Sequence, residues 1–280
     1  MATGRSELLT TTRTGSPNPR EALRAFAGPP RSLVWRGGAA HLRFEGEGRK
    51  APDLHSHFGI QLSVGLVEAL SLSSRDCTPE RLAPGWLVGS DRPHWMRGRG
   101  AGVTIFWDPL LDGGRRIANR LHGADVLALS AAECEAIQSE LEGCWQRNWR
   151  LADVRAAADR IVNRLAPDAA PDLTDRRVRT VIAELVMGSD ENVGLADLAA
   201  RVGLSESRLA HLFRRNVGIP IRQYRLSLRM EQAVRYISRG SSLTEAAHMS
   251  GFSDSAHFSR ICRRMFGSAP SDLPDFEIER

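Results

Sequence analysis

The sequence predicts a two-domain α+β protein, with an N-terminal half of short strands and flanking helices and an all-α C-terminal third. Three observations carry this. Over residues 33–107 short runs of Val, Ile, Leu and aromatic residues alternate with polar ones, with Gly, Pro and Asp between them, which is the pattern of strands. From Thr174 onward the apolar spacing changes to the period of helices. Two segments of that helical part, residues 195–218 and 243–267, repeat one design.

Taken in order, residues 1–30 are rich in Thr, Arg, Gly and Pro, including SPNPR and GPPR. That composition predicts an arm without fixed structure. A sensor-sized domain is expected over 31–165. Its strand signals are LVWR, AHLRFEG, FGIQLSVGLV, ALSLSS, GWLVG and GVTIFW, and several short strands at this spacing read as a barrel or sandwich. Trp35 and Trp107 are expected in its core.

Within these strands HSHFGIQ places His55, His57 and Gln61 near one another, the two histidines on one side of an extended chain. PGWLVGSDRPH then brings His94. Three imidazoles and an amide oxygen are a set that zinc, iron, nickel or manganese could take. The same side chains serve equally as hydrogen-bonded pocket residues, and the favoured expectation is that reading, with no resident metal or cofactor. Trp86 and Trp95, near the histidines in sequence, either pack in the core as well or line an effector pocket with the histidines.

Asp108-Pro109 closes the last strand, and GGRRIANRL reads as a short helix. Residues 130–165 read as helical with a break near 149–151. Ser130 with Glu133 has the spacing of a capping box. Ile137, Leu141, Trp145 and Trp149 form one apolar stripe, and Ala157, Ile161, Val162 and Leu165 a second. The run APDAAPD marks a linker over 166–173, and a helical domain is expected over 174–280.

In that domain each repeat brings a short apolar-periodic helix to a glycine, Gly203 or Gly251. One apolar residue follows, then a serine, Ser205 or Ser253, and a more basic helix. Glycine supplies the turn of a helix-turn-helix and serine is a preferred N-cap. Leu195, Leu198, Ala199 and Val202 with Leu209, Leu212 and Phe213 make the buried faces of the first copy. Leu243, Ala246, Ala247 and Met249 with Phe258, Ile261 and Cys262 make those of the second. Small or basic residues are left outward: Ser207, Arg208, Ala210, His211, Arg214 and Arg215, then Ser255, Ala256, Ser259, Arg260 and Arg263. Such faces suit a major groove. Residues 220–239 read as one joining helix with proline at its start, about 30 Å long, against roughly 34 Å between successive major grooves on one face of DNA.

Charge agrees. Residues 201–264 hold twelve arginines against four acids, whereas the whole chain is only +5. A local excess of this kind neutralises phosphates. Lys50 is the single lysine, and arginine suits bidentate contacts to phosphate and guanine.

The stretch from Thr174 to Leu273 resembles the DNA-binding domain of AraC/XylS-family transcriptional regulators. The text AxxxGLSxSxLxxLFRRxxGxPIxxYRLxxRMxxA followed by LTEAAHMSGFSDSAHFSRxxRRMFGSAP carries the resemblance. Cys262 stands where the family usually has phenylalanine, and Leu273-Pro274 replaces an aromatic–arginine ending. The resemblance implies a cupin-like β-barrel as sensor, a small-molecule effector within it, base contacts from both second helices, and homodimerisation through the 130–165 helices. It also implies promoter DNA and RNA polymerase as partners, and a cytoplasmic location.

Other classes fit poorly. The sequence contains no GxSxG, HExxH, P-loop or glycine-rich dinucleotide turn, so no enzyme is expected. A metal-dependent cupin sensor or enzyme fused to a DNA-binding domain is the alternative, and an effector-independent DNA binder is another. Cys77, Cys134, Cys144 and Cys262 form no CxxC pair, which fits a reducing compartment. No apolar run reaches the ~18 residues of a membrane span, and the N-terminus lacks a basic-then-apolar signal pattern.

Overall fold

The computed structural model describes residues 31–45, 54–74, 77–98, 100–168, 174–187, 193–266, 269–270 and 276–279. The arm expected over 1–30, most of the linker, and Leu273-Pro274 lie outside them. The strands are β1 (Arg31–Trp35), β2 (Gly38–Glu45), β3 (Ile60–Gly65), β4 (Leu70–Ser74), β5 (Cys77–Ala83), β6 (Gly85–Val88), β7 (His94–Arg97), β8 (Gly100–Trp107), β9 (Val126–Leu129) and β10 (Phe276–Ile278). They form a seven-stranded sheet in the order β10-β1-β2-β8-β3-β6-β9 and a three-stranded sheet in the order β5-β4-β7. The cupin-like sensor is thus two sheets facing one another.

Strand β3 shows what holds them together. All six residues of IQLSVG are buried. Ile60, Leu62 and Val64 point outward and pack with Leu42, Leu87, Val103 and Ile105 against the helices that follow. Gln61 and Ser63 point inward, toward the smaller sheet, and are tied to one another and to Thr104. The alternation therefore separates an apolar core from a hydrogen-bonded polar interior. A buried polar group is tolerated when its partners are supplied.

Four strands escaped the sequence pattern. β5 carries Pro79, Glu80 and Arg81, and β7 and β9 are four residues long. Strand β10 comes from the far end of the chain, and pairs in parallel with β1 through Ser32↔Phe276 and Val34↔Ile278. The last described residues, placed by sequence with the helical domain, thus complete the sensor sheet.

Helix α1 (Asp112–Arg120) precedes β9, and α2 (Ala131–Gln146) and α3 (Leu151–Leu165) follow it. The Ser130–Glu133 capping box is formed. Both apolar stripes face the large sheet and belong to its core. Trp149 lies in the break expected near 149–151. It sits past the end of α2 at φ 54°, fully buried and stacked on Trp145 with ring centroids 4.6 Å apart. Packing one large ring on another outweighs the cost of a left-handed backbone there. Cys134 and Cys144 are free and buried, and burial pushes both thiols up to about 11. A thiolate is the reactive form, so both should resist iodoacetamide at pH 7.5 until the sensor unfolds; rapid labelling of the native chain, read by mass spectrometry, would contradict this packing.

The C-terminal part comprises α4 (Arg176–Met187), α5 (Leu195–Arg201), α6 (Glu206–Val217), α7 (Ile221–Ser238), α8 (Leu243–Met249) and α9 (Ser255–Phe266). Two small cores form. Val178, Val181, Leu198, Leu209, Phe213 and Tyr224 fill the first. Met230, Ala233, Phe252, Phe258 and Cys262 fill the second. Helix α7 supplies residues to both, so the predicted joining helix is the shared wall. Two residues assigned by sequence to buried faces lie outside them: Leu243 is 37% exposed and Met249 42%. Short helices at the edge of a small core bury too little surface to cover every apolar side chain.

Helix α8 begins with a full capping box between Ser242 and Glu245. Ser242→Ala should cost about 1 kcal/mol, measured as an earlier urea midpoint for the helical part; an unchanged midpoint would show that packing alone sets this helix.

Candidate nucleic-acid interface and interdomain histidine cluster

The two turns match at the level of backbone hydrogen bonds. Gly203 and Gly251 both take left-handed φ, 66° and 72°, which glycine adopts without Cβ strain. After each, the amide of the apolar residue reaches back five residues, Leu204 to the Ala199 carbonyl at 2.9 Å and Phe252 to the Ala247 carbonyl at 3.0 Å. The second helix of each pair is therefore launched from the same local geometry.

The helices start differently. Ser205 caps α6 by accepting from the Arg208 amide, as its sequence position predicts. At α9 the cap is Asp254, whose Oδ1 accepts from the His257 amide at 2.6 Å, and that bond holds its carboxyl below the ordinary range. Ser253, expected to be the cap, instead bonds to the Asp254 carboxylate and the His257 ring. A carboxylate is the stronger acceptor at the positive end of a helix.

The predicted reading faces are outward. On α6 Ser207, Arg208, Ala210, His211, Arg214 and Arg215 are exposed, as is Ser205. On α9 Ala256, Arg260 and Arg263 are exposed and Ser255 and Ser259 half-buried. The opposite faces are held by Leu209, Phe213 and Val217, and by Phe258, Ile261, Cys262 and Met265. Helix α7 has 18 residues, about 27 Å at 1.5 Å each, so its length suits two helices one groove spacing apart.

The histidines converge where the two parts of the chain meet. His55, His57 and His94 are buried, and one ligand-capable nitrogen of each lies within 4.8 Å of the others. His55 sits in a bridge to His94, outside the regular strands, so a chain crossing brings together what sequence left far apart. Gln61 Oε1 lies 2.6 Å from His57 Nε2 and 3.1 Å from His94 Nε2. Burial holds the His57 imidazole below its ordinary pKa, against bonds to Gly59 and Gln61 that raise it.

Of the two readings of the tryptophans, core packing holds for Trp86. Trp86 is buried among Leu70, Leu72, Val88 and Met96, its indole N–H donating to the Leu70 carbonyl. Trp95 is half-buried with the Arg97 guanidinium over its ring. Both contacts turn these rings away from the nearby cleft. That cleft, of about 780 Å³, is lined by Ser56, His57, Phe58 and Asp91 of the sensor and by residues of α7 and α9, including Arg222, Gln223, Arg225 and Arg229.

Sequence reasoning missed the residues that join the two parts. Gln223 Nε2 donates to Asp91 Oδ1 at 2.5 Å, and Ser56 Oγ to the same oxygen at 3.1 Å. The Ser56 amide donates to the Arg264 carbonyl, and Phe58 meets Tyr224 edge-on at 5.3 Å. Glu279 pairs with Arg155 and accepts from the Arg36 amide. Single polar residues in loops carry no periodic signal, so nothing local marks these contacts.

Comparison with known proteins bears on the helical part first. Residues 198–274 match a family described as a helix-turn-helix domain. Over 105 residues the chain is 34% identical to the Escherichia coli K12 protein named "Uncharacterized HTH-type transcriptional regulator YidL", covering 37% of this chain and 35% of that one. It is 35% identical over 86 residues to the arabinose operon regulatory protein of the same strain, covering 30% of each. The matches span about a third of these relatives' length. The fold of the whole chain resembles that of the crystal structure of ToxT from Vibrio cholerae, with a TM-score of 0.53 at 14% identity over 85% of this chain and 96% of that one.

Proposed function

We propose that the helix-turn-helix domain matched over residues 198–274 is of the AraC type, and that the protein is a sequence-specific, effector-controlled transcriptional regulator. The observation that carries this is the pair of exposed basic helices, α6 and α9, each launched from the same glycine turn and set at either end of α7. Arg260, Ser259 and Ala256 read bases from α9; Ala210, His211 and Ser207 do so from α6. Arg208, Arg214, Arg215 and Arg263 supply phosphate contacts.

The cleft between the parts is the proposed effector site, in place of the space between the sheets. Its arginines face an apolar wall of Phe58, Leu226, Ile261 and Met265, a lining suited to a small organic anion. The Arg225 Nε is buried without a hydrogen-bond partner among the described residues, a donor that an anion would satisfy. Because α7 and α9 form one side of the cleft, an effector there acts on the DNA-reading helices directly. Its control rests on differential affinity for two arrangements of the domains.

We infer no enzymatic turnover, a cytoplasmic location, and contact with RNA polymerase at promoters. With the apolar stripes of α2 and α3 used internally, homodimerisation falls to their exposed faces.

The test is selection of duplexes from a random pool by the purified full chain, followed by footprinting with and without candidate organic anions. Two protected segments about one helical turn apart are expected. A single protected segment, or no sequence enrichment, would overturn the reading.

A further inference from the structure

We propose that His55, His57 and His94, with Gln61 as fourth ligand, form a binding site for a first-row divalent transition ion, with Zn2+ as its representative. Four features of the cluster carry this.

The first is the convergence itself. A tetrahedral ion with bonds of about 2.0–2.1 Å sets its nitrogens roughly 3.3 Å apart. The three ligand nitrogens already lie within 4.8 Å of one another, so small ring rotations close the site.

The second is the outer shell. His57 Nδ1 lies 2.8 Å from the Gly59 carbonyl, and His94 Nδ1 lies 2.8 Å from the Arg92 carbonyl. A carbonyl only accepts, so each Nδ1 carries a hydrogen, which leaves Nε2 as the nitrogen that a metal ion would take. Backbone carbonyls orient metal-binding histidines in this way.

The third is the amide. Gln61 Nε2 donates to Ser63 Oγ at 2.9 Å, which aims Oε1 at both imidazoles. The amide oxygen and the two Nε2 atoms thus converge on one point, and a cation bound there takes the place of the proton that these hydrogen bonds share. The set holds three imidazoles and no carboxylate, and such donors favour Zn2+, Ni2+, Cu2+ or Fe2+ over Mg2+ and Ca2+.

The fourth is position. His57 lines the cleft, which gives an ion a way in. Ser56, between two of the ligands, bonds to the Arg264 carbonyl on α9 and to the Asp91 carboxylate that also holds Gln223 of α7. Drawing His55 and His57 toward an ion moves the segment on which both helices rest. The site therefore adds a second input to the regulator; this coupling rests on the proposed function, while ion binding itself does not.

The experiment uses the full chain, stripped with a chelator, loaded with Zn2+, dialysed and analysed by mass spectrometry for zinc, with Co2+ absorption as a second probe. About one ion per chain is expected, with a tetrahedral Co2+ spectrum. His94→Ala and the milder His55→Gln should each weaken uptake at least tenfold, and His122→Ala, on an exposed turn, should not. Circular dichroism checks that each variant is folded. Less than about a tenth of an ion per wild-type chain would overturn the proposal. So would equal uptake by a folded His55→Gln chain: the Gln61 amide would then be turned round, donating to both rings in a metal-free network. Uptake is read without DNA, so failure to bind DNA defeats the functional reading alone and leaves this result standing.

Discussion

Phe213→Ala should lower the stability of the helical part by about 3–5 kcal/mol. Phe213 is fully buried, sits between Leu209 and Val217 on the inner face of α6, and lies 5.6 Å from the Tyr224 ring of α7. Truncation leaves a cavity where α4, α5, α6 and α7 meet, and a close-packed interior collapses into such a space only in part. For a unit of this size each kcal/mol is worth about 4–8 °C, so the calorimetric transition of this part should fall by more than about 12 °C, and DNA binding should fail with it. The sensor transition serves as the internal reference, since a two-domain chain is not expected to melt as one unit. A transition that stays in place would mean that α6 is held by something other than this core.

Arg260→Ala should cost about 1–3 kcal/mol of discrimination between the selected site and a scrambled duplex. The side chain stands on the exposed face of α9, beside Ala256 and Ser259 and opposite the buried Phe258 and Cys262. The contrasting variant is Arg214→Ala on α6, expected to weaken all sequences alike and to reduce the salt slope by about 1. Fluorescence anisotropy on both duplexes at several salt concentrations separates the two roles. If Arg260→Ala leaves the ratio of affinities where it was, the residue does not read a base, and α9 would have to be assigned to backbone contact. Neither substitution touches a core residue, so a loss of folding would not explain either result.

Much of the reading surface was legible because its signals are local. The repeated glycine, the apolar residue after it and the 3.6-residue spacing of Leu209 and Phe213 or of Phe258 and Ile261 each lie within one turn or helix. The errors were at the margins of the same units. Asp254 took the cap expected of Ser253, because a charged acceptor one residue later competes for the same amides. Leu243 and Met249 stayed exposed, because periodicity states which face is apolar and not whether a neighbour exists to cover it. The break near Trp149 was legible, but its stacking on Trp145 was not, since that depends on a turn the stripe does not encode.

The sensor was harder to read. Its strands were visible where alternation was clean, and β5 was missed where proline and charge interrupted it. Residue types identified the histidines and Gln61 as a chemical set, but their convergence required His55 to bridge to His94 across the fold.

By itself the sequence determined the two-domain α+β class, the twin helix-turn-helix and the identity of its outward residues, because all of these rest on interactions over a few residues. Only the tertiary structure decided that Trp86 packs into an apolar cluster, that a cleft opens between the domains, and that β10 returns to pair with β1 from the far end of the chain. Those outcomes depend on volume and on pairings across more than two hundred residues, and a periodic pattern holds no information about which distant surface a given face will meet.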